Sequence, residues 1–181
     1  MNSINTQFYY RQMAYNRHSA VQYATTYALK PNPAYRYFPL INNDTSGNCA
    51  NFISQCLYAG NAPMIFSGND QWFYNKNNTA TTKDDTWSLS WSVAHSLYWY
   101  LKINAEKDSR GVKGTEVSGT NNLSLGDLVF YEDYKGVIFH SAIITAFSNV
   151  PLVSQHSYEA LNIPYYKSWG YKKVHFLKIS I

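Results

Sequence analysis

Two residues in this chain have the types and settings of a nucleophile and its base. Cys49 follows a polar, turn-forming run in "NNDTSGNCANFISQCLYAG" and begins an apolar helical pattern. A thiol there meets the unpaired N–H groups and the positive dipole end of the helix, which stabilise a thiolate. The same position also suits a small buried apolar side chain, because Cys49 starts the apolar stripe of its helix. His140 interrupts the apolar run "GVIFHSAIITAF". An imidazole in such a strand is paired or useful, since burying it alone is costly. The next run, "PLVSQHSY", carries Ser154, Gln155 and His156 in an apolar setting, where a third group can fix the tautomer and orientation of the base. Strand alternation puts Ser154 and His156 on one face and Gln155 on the other. His156 is the expected orienter, because an imidazole can accept the N–H of His140 while its other nitrogen donates elsewhere; Gln155 is the alternative.

Helices must come first and strands later to position these groups. Ala20, Val21, Ala24, Tyr27 and Ala28 mark a first helix, stopped by Pro31 and Pro33. A second runs from Cys49 with Phe52, Ile53, Cys56 and Leu57 on one face and ends at Gly60. A third is expected where Trp87, Trp91, Ala94, Tyr98 and Leu101 hold helical spacing, a stripe of core rather than of ligand contacts. "GDLVFYED", "GVIFHSAIITAF", "PLVSQHSY" and "KKVHFLKISI" then read as strands in an antiparallel meander. The expectation is one α+β domain over residues 1–181, its N-terminal helices packed on a C-terminal sheet.

Composition narrows the function. The chain of 181 residues is 45 % hydrophobic and 14 % charged, enough apolar material for a core. Its net charge of +4 is spread thinly, which does not indicate a nucleic-acid partner. No apolar run reaches the roughly 20 residues that span a bilayer, so no integral membrane segment is expected. The start "MNSINTQFYYRQMAYNR" lacks a basic region followed by an apolar core, so a secretory signal is not read here. Cys49 and Cys56 sit seven positions apart in one helix, roughly 10 Å, beyond the roughly 7 Å reach of a disulfide. No spacing of Cys and His supports a zinc site, and no metal or cofactor is expected. The long Asn-rich segment 62–85, with Phe66, Trp72, Phe73 and Tyr74, is expected to wall or cover a groove beside Cys49.

The words of the sequence resemble a known family. "NCANFISQCLYAG" is similar to the Cys-x-Asn-Phe-(Val/Ile)-Ser-Gln block of the putative amidase domain family. "YNRHSAVQYATTYALKPNPAYRYF" resembles that family's first helix, and "LGDLVFY", "HSAIIT" and "SQHS" resemble its later strands. The resemblance runs in the right order along nearly the whole chain and implies the papain-like fold of the related CHAP and NlpC-type cell-wall hydrolases. It implies Cys49 as nucleophile, His140 as base and then acid, and His156 as orienter. The oxyanion would be held by the Cys49 N–H and a second donor, with Asn43, Asn48 and Gln55 as candidates. It further implies a peptide or peptidoglycan substrate and an exported or wall-associated domain. A wall-binding module without turnover and an acyl transferase using the same thiol are the alternatives. The family often has Asp before the cysteine, where this chain has Asn48. Asn48 can cap the helix, and its neutrality leaves the field at Cys49 less negative, in favour of a thiolate.

Overall fold

The computed structural model describes residues 14–41 and 47–181. Its first helix, α1 (Arg17–Tyr27), is capped by the Asn16 side chain, which accepts the Ser19 N–H at 3.0 Å. The second, α2 (Cys49–Ala59), is closed by Gly60, as the sequence leads one to expect. Nine consecutive residues of α2, Cys49 to Leu57, are buried, so this helix is enclosed on nearly every side. Its buried polar groups are accordingly paired. Gln55 accepts the Tyr23 hydroxyl at 2.6 Å, and Ser54 donates to the Trp91 carbonyl at 2.8 Å.

The segment after α2 forms a two-stranded ribbon, β1 (Tyr74–Asn75) with β2 (Thr86–Trp87). The expected third helix is broken. It becomes α3 (Leu89–Ser92) and α4 (Ala94–Glu106), divided at Val93, whose backbone is extended (φ −115°, ψ 124°). Trp87 belongs to the ribbon rather than to a helix, and the aromatic stripe packs as core all the same. Trp91 is fully buried, with ring centroids 4.9 Å from Trp72 and 5.7 Å from Tyr74.

The sheet has six strands in the order β3-β8-β4-β5-β6-β7, all antiparallel. The run β4 (Leu128–Glu132), β5 (Ile138–Phe147) and β6 (Pro151–Gln155) follows the expected meander, but it continues into an unexpected β7 (Ala160–Pro164) rather than into the segment Lys173–Ser180. The last strand, β8 (Lys173–Ser180), then crosses back between β4 and the edge strand β3 (Lys113–Val117). Leu128, Phe130, Ile143, Leu177 and Ile179 meet the helices in one core. Val129, Tyr131, Ala142, Ile144, Val153 and Phe176 form a second core on the opposite face. The fold is α+β with N-terminal helices on a C-terminal antiparallel sheet. Asp127 ties the two halves: buried, it takes an ion pair from Arg17 at 2.6 Å and accepts the backbone N–H groups of Ser124 and Ile179.

Candidate active site

Cys49 occupies the first position of α2 and is 7 % exposed. Its sulfur lies near Ser141, the residue after His140, whose hydroxyl and peptide N–H act to lower the thiol pKa. Cross-strand pairing explains why Ser141 faces that way. Ser141 lies opposite Phe130 and two residues from Ile143, both in the helix-side core. The buried Ser141 hydroxyl has no hydrogen-bond partner among the described residues. The side chain of Asn48 does not cap α2, contrary to expectation, because it is committed elsewhere. The first-turn N–H groups of Cys49 and Ala50 are thus left facing the sulfur.

Burial outweighs these donors. It pushes the Cys49 thiol above its ordinary range, with Ser141 and the first-turn N–H groups opposing. The expectation that the helix start leaves a thiolate is corrected to that extent: the resting group is a thiol. Burial also lowers His140, to about 4, opposed by the hydrogen bond to Gln155. At neutral pH the two groups rest as thiol and imidazole. Cys56, wholly buried in mid-helix, is pushed up further, and neither cysteine is in a disulfide.

His140 sits where the β4–β5 ladder shifts register. Tyr131 pairs with His140 and Glu132 with Ile138, so Phe139 is the extra residue of a bulge. Bulges re-aim side chains next to the residue they insert. Nε2–H of His140 donates to Gln155 Oε1 at 3.0 Å, and among the described residues no hydrogen bond is made by Nδ1. Gln155 is fixed in turn, since its amide donates to the Tyr158 carbonyl at 3.2 Å and its Oε1 also accepts the Ser168 hydroxyl. Trp169 screens the pair from solvent, its ring 5.6 Å from His140 and 4.7 Å from Tyr158, its indole N–H held by the Ser157 carbonyl.

The expected orienter is therefore corrected. His156 makes no bond to His140, and Gln155 does. The alternation argument fails because β6 ends at Gln155 and its register with β7 shifts just before that residue. His156 lies in the following turn, where Ser157 and Tyr158 adopt positive φ. From there its Nδ1 receives the Asn48 amide at 2.6 Å and its Nε2–H donates to the Tyr27 carbonyl at 2.8 Å. Gly47 permits the close approach of this turn, as a Cβ there would stand 2.5 Å from the Ser157 hydroxyl.

The remaining candidates separate. The Asn48 amide is spent on His156, and Gln55, whose Oε1 accepts the Tyr23 hydroxyl, lies roughly 9 Å along α2 from Cys49, so neither offers itself as the second oxyanion donor. Asn43 lies outside the described residues. Segment 62–85, expected beside Cys49, packs along α2 and against residues 35 and 36. Trp72 is core, donating to Ser54 on the flank of α2 at 3.1 Å. Phe66 and Tyr74 line a surface cavity of about 460 Å³ beside Tyr58, roughly 13 Å along the helix from Cys49. His175 is a buried structural residue, its ring nitrogens 2.6 Å and 2.9 Å from the carboxylates of Glu116 and Glu132. Sequence reasoning passed over Ser141, Ser168 and Trp169. Ser141 was legible from alternation beside His140, whereas Trp169 sits in a Gly-flanked loop with no periodic signal.

The family model described as "Putative amidase domain" matches residues 14–179. The chain belongs to that family. It is also 37 % identical over 153 residues to the uncharacterized protein YhbB of Bacillus subtilis (strain 168), covering 83 % of this chain and 44 % of that protein. It is 31 % identical over 160 residues to the uncharacterized protein YjcM of the same organism, covering 83 % of this chain and 32 % of YjcM. The chain thus spans less than half the length of either relative. No solved structure matches it significantly. Among the described residues no helix of this putative amidase domain is long and apolar enough to cross a membrane.

Proposed function

We propose that this domain is a cysteine amide hydrolase acting on peptide or peptidoglycan amide bonds through an acyl-enzyme. The observations that support the reading are Cys49 at the first position of α2, packed near Ser141 of β5, and the adjacent buried His140, whose Nε2 is bonded to Gln155. That bond defines the tautomer: Nε2 holds the proton, and Nδ1 carries the lone pair of a base. In the first half-reaction Nδ1 takes the thiol proton as sulfur attacks the amide carbonyl. The oxyanion forms beside the Cys49 N–H at the helix start. The imidazolium then gives its proton to the departing amine, leaving a thioester on Cys49. In the second, His140 draws a proton from water, which attacks the thioester, releases the acid and restores the thiol.

Gln155 steadies the imidazolium through both halves, and Trp169 keeps water from that bond. Nucleophile at a helix start, base on a strand and polar orienter on the next strand resembles the arrangement of papain-like enzymes, an amide orienter being nearer the CHAP-type than the NlpC-type cell-wall hydrolases. A peptidoglycan substrate would put the domain outside the cytoplasmic membrane. Incubation with purified peptidoglycan and mass spectrometry of the products tests the reading. New amine and carboxyl termini at one stem-peptide or sugar–peptide amide, absent with Cys49→Ala, are expected.

A further inference from the structure

His156 and Asn48, both nearly fully buried, belong to a hydrogen-bond chain whose polarity is determined at every link. An indole N–H can only donate, so Trp91 Nε1 fixes Asn51 Oδ1 as acceptor at 2.7 Å. The Asn51 amide nitrogen then donates to the Arg36 carbonyl and to Asn48 Oδ1, each at 2.8 Å. Asn48 Oδ1 also accepts the Phe38 backbone N–H at 3.1 Å. Its nitrogen is left to donate to His156 Nδ1 at 2.6 Å. The proton of His156 must therefore sit on Nε2, where the Tyr27 carbonyl, which can only accept, receives it at 2.8 Å. Reversing Asn48 would set its NH₂ against two other donors.

This chain runs through the residue before Cys49 and the residue two after it. It binds the start of α2 to the end of α1, to segment 36–38 and to the turn after β6. The His156 ring adds a stack on Phe52 of α2, 4.0 Å between centroids and 18° between planes. We propose that His156 is a positioning residue for Cys49 that acts only as the neutral Nε2–H imidazole, so that its protonation releases Asn48 and loosens the turn bearing the thiol. An imidazolium would point a second N–H at the Asn48 NH₂, and that link would open. The inference rests on the reading of Cys49 as nucleophile.

Among the described residues, the charged and titratable groups around the ring are these. Glu159, in the same turn, holds the Tyr37 hydroxyl at 2.8 Å, and the Tyr37 ring is 6.4 Å from that of His156. Tyr27 of α1 contributes its carbonyl, and α2 offers the Cys49 thiol. Burial lowers the pKa of His156, while the Tyr27 bond and the charge of Glu159 act against it.

The same logic makes Asn48→Asp informative. A carboxylate can only accept, so it would call for a proton on Nδ1 as well and turn the ring into an imidazolium. The test is long-range ¹H–¹⁵N NMR of the imidazoles in the full chain from pH 4 to 8, with Cys49 alkylation by iodoacetamide at pH 8 as the second readout. The wild type should show His156 as the Nε2–H tautomer, and Asn48→Asp should raise its titration midpoint by at least one pH unit. His156→Phe, which keeps the stack on Phe52, should speed alkylation of the enclosed Cys49 about fivefold. An Nδ1–H tautomer, an unmoved midpoint in Asn48→Asp, or an unchanged alkylation rate in His156→Phe would each overturn the proposal. None of these readouts needs a substrate, so a failed hydrolase reading would show separately, as peptidoglycan left uncut.

Discussion

Replacing Gln155 with Ala removes the acceptor bonded to His140, and the consequence can be sized from the geometry. The 3.0 Å bond joins two side chains that are each 1 % exposed. In the ground state the variant strands a buried N–H donor, at a cost of about 1–3 kcal/mol in stability. In the transition state His140 carries positive charge, and a hydrogen bond to a charged group contributes about 1.5–3 kcal/mol. Since the neutral bond lost from the ground state contributes about 0.5–1.5 kcal/mol, the differential loss is about 1–1.5 kcal/mol, and at 1.36 kcal/mol per tenfold kcat should fall by roughly 5- to 15-fold. KM should change little, because Gln155 is bonded to His140, Tyr158 and Ser168 rather than aimed at open space. Gln155→Glu separates charge from shape. An adjacent carboxylate favours the imidazolium by about 1–3 pKa units, so the acid limb of the pH–rate profile should move up from the vicinity of pH 4. The assay is steady-state release of the peptidoglycan fragment from pH 4 to 9, with thermal unfolding as the control for folding. Wild-type kcat in Gln155→Ala, or an acid limb unmoved in Gln155→Glu, would refute the reasoning.

Three further outcomes are expected. Iodoacetamide at pH 8 should modify Cys49 before Cys56, because Cys56 is fully buried and pushed further up; peptide mapping of a partly labelled sample checks the order. Ser141→Ala should slow alkylation of Cys49 about three- to tenfold, since it removes a hydroxyl that favours the thiolate; the rate against pH should show the thiol pKa raised, and an identical curve would count against the contact. Finally, His140 titrates near 4 in the folded chain against 6.5 for the free group. The unfolded state therefore binds more protons between those values, and this contribution to stability is complete above pH 6.5 and lost on acidification toward 4. Its size is on the order of 3 kcal/mol, and urea titrations of the wild type and His140→Asn across that window should differ by it.

The helices were legible where period and stop signals coincide, as at Cys49 through Gly60, and the strands where β-branched runs stand between turns. Val93 broke an aromatic stripe that reads as continuous because Trp and Tyr are equally at home in a core helix and on a ribbon. β3 and β7 escaped because "KGTEV" and "ALNIP" mix Gly, Asn and charge into short edge strands. At the site, Cys49 and His140 stand out by type in an apolar setting, which needs no knowledge of the fold. The choice between Gln155 and His156 turned on where β6 stops. A strand that ends one residue early turns alternation into a misleading guide, and only the positive-φ turn after it sends His156 to Asn48. Trp169 reaches His140 and Ser168 reaches Gln155 from farther along the chain through tertiary packing, which leaves no mark on local pattern.

The central claim is that amide cleavage passes through a thioester on Cys49. Acid quenching of the domain during turnover of peptidoglycan stem peptides, followed by intact-mass and peptide mapping, tests it most directly. The account predicts a transient acyl mass on the peptide that contains Cys49, absent in Cys49→Ala and accumulating when His140→Ala is supplied with an activated ester. New peptidoglycan termini formed at an undiminished rate by Cys49→Ala would contradict it.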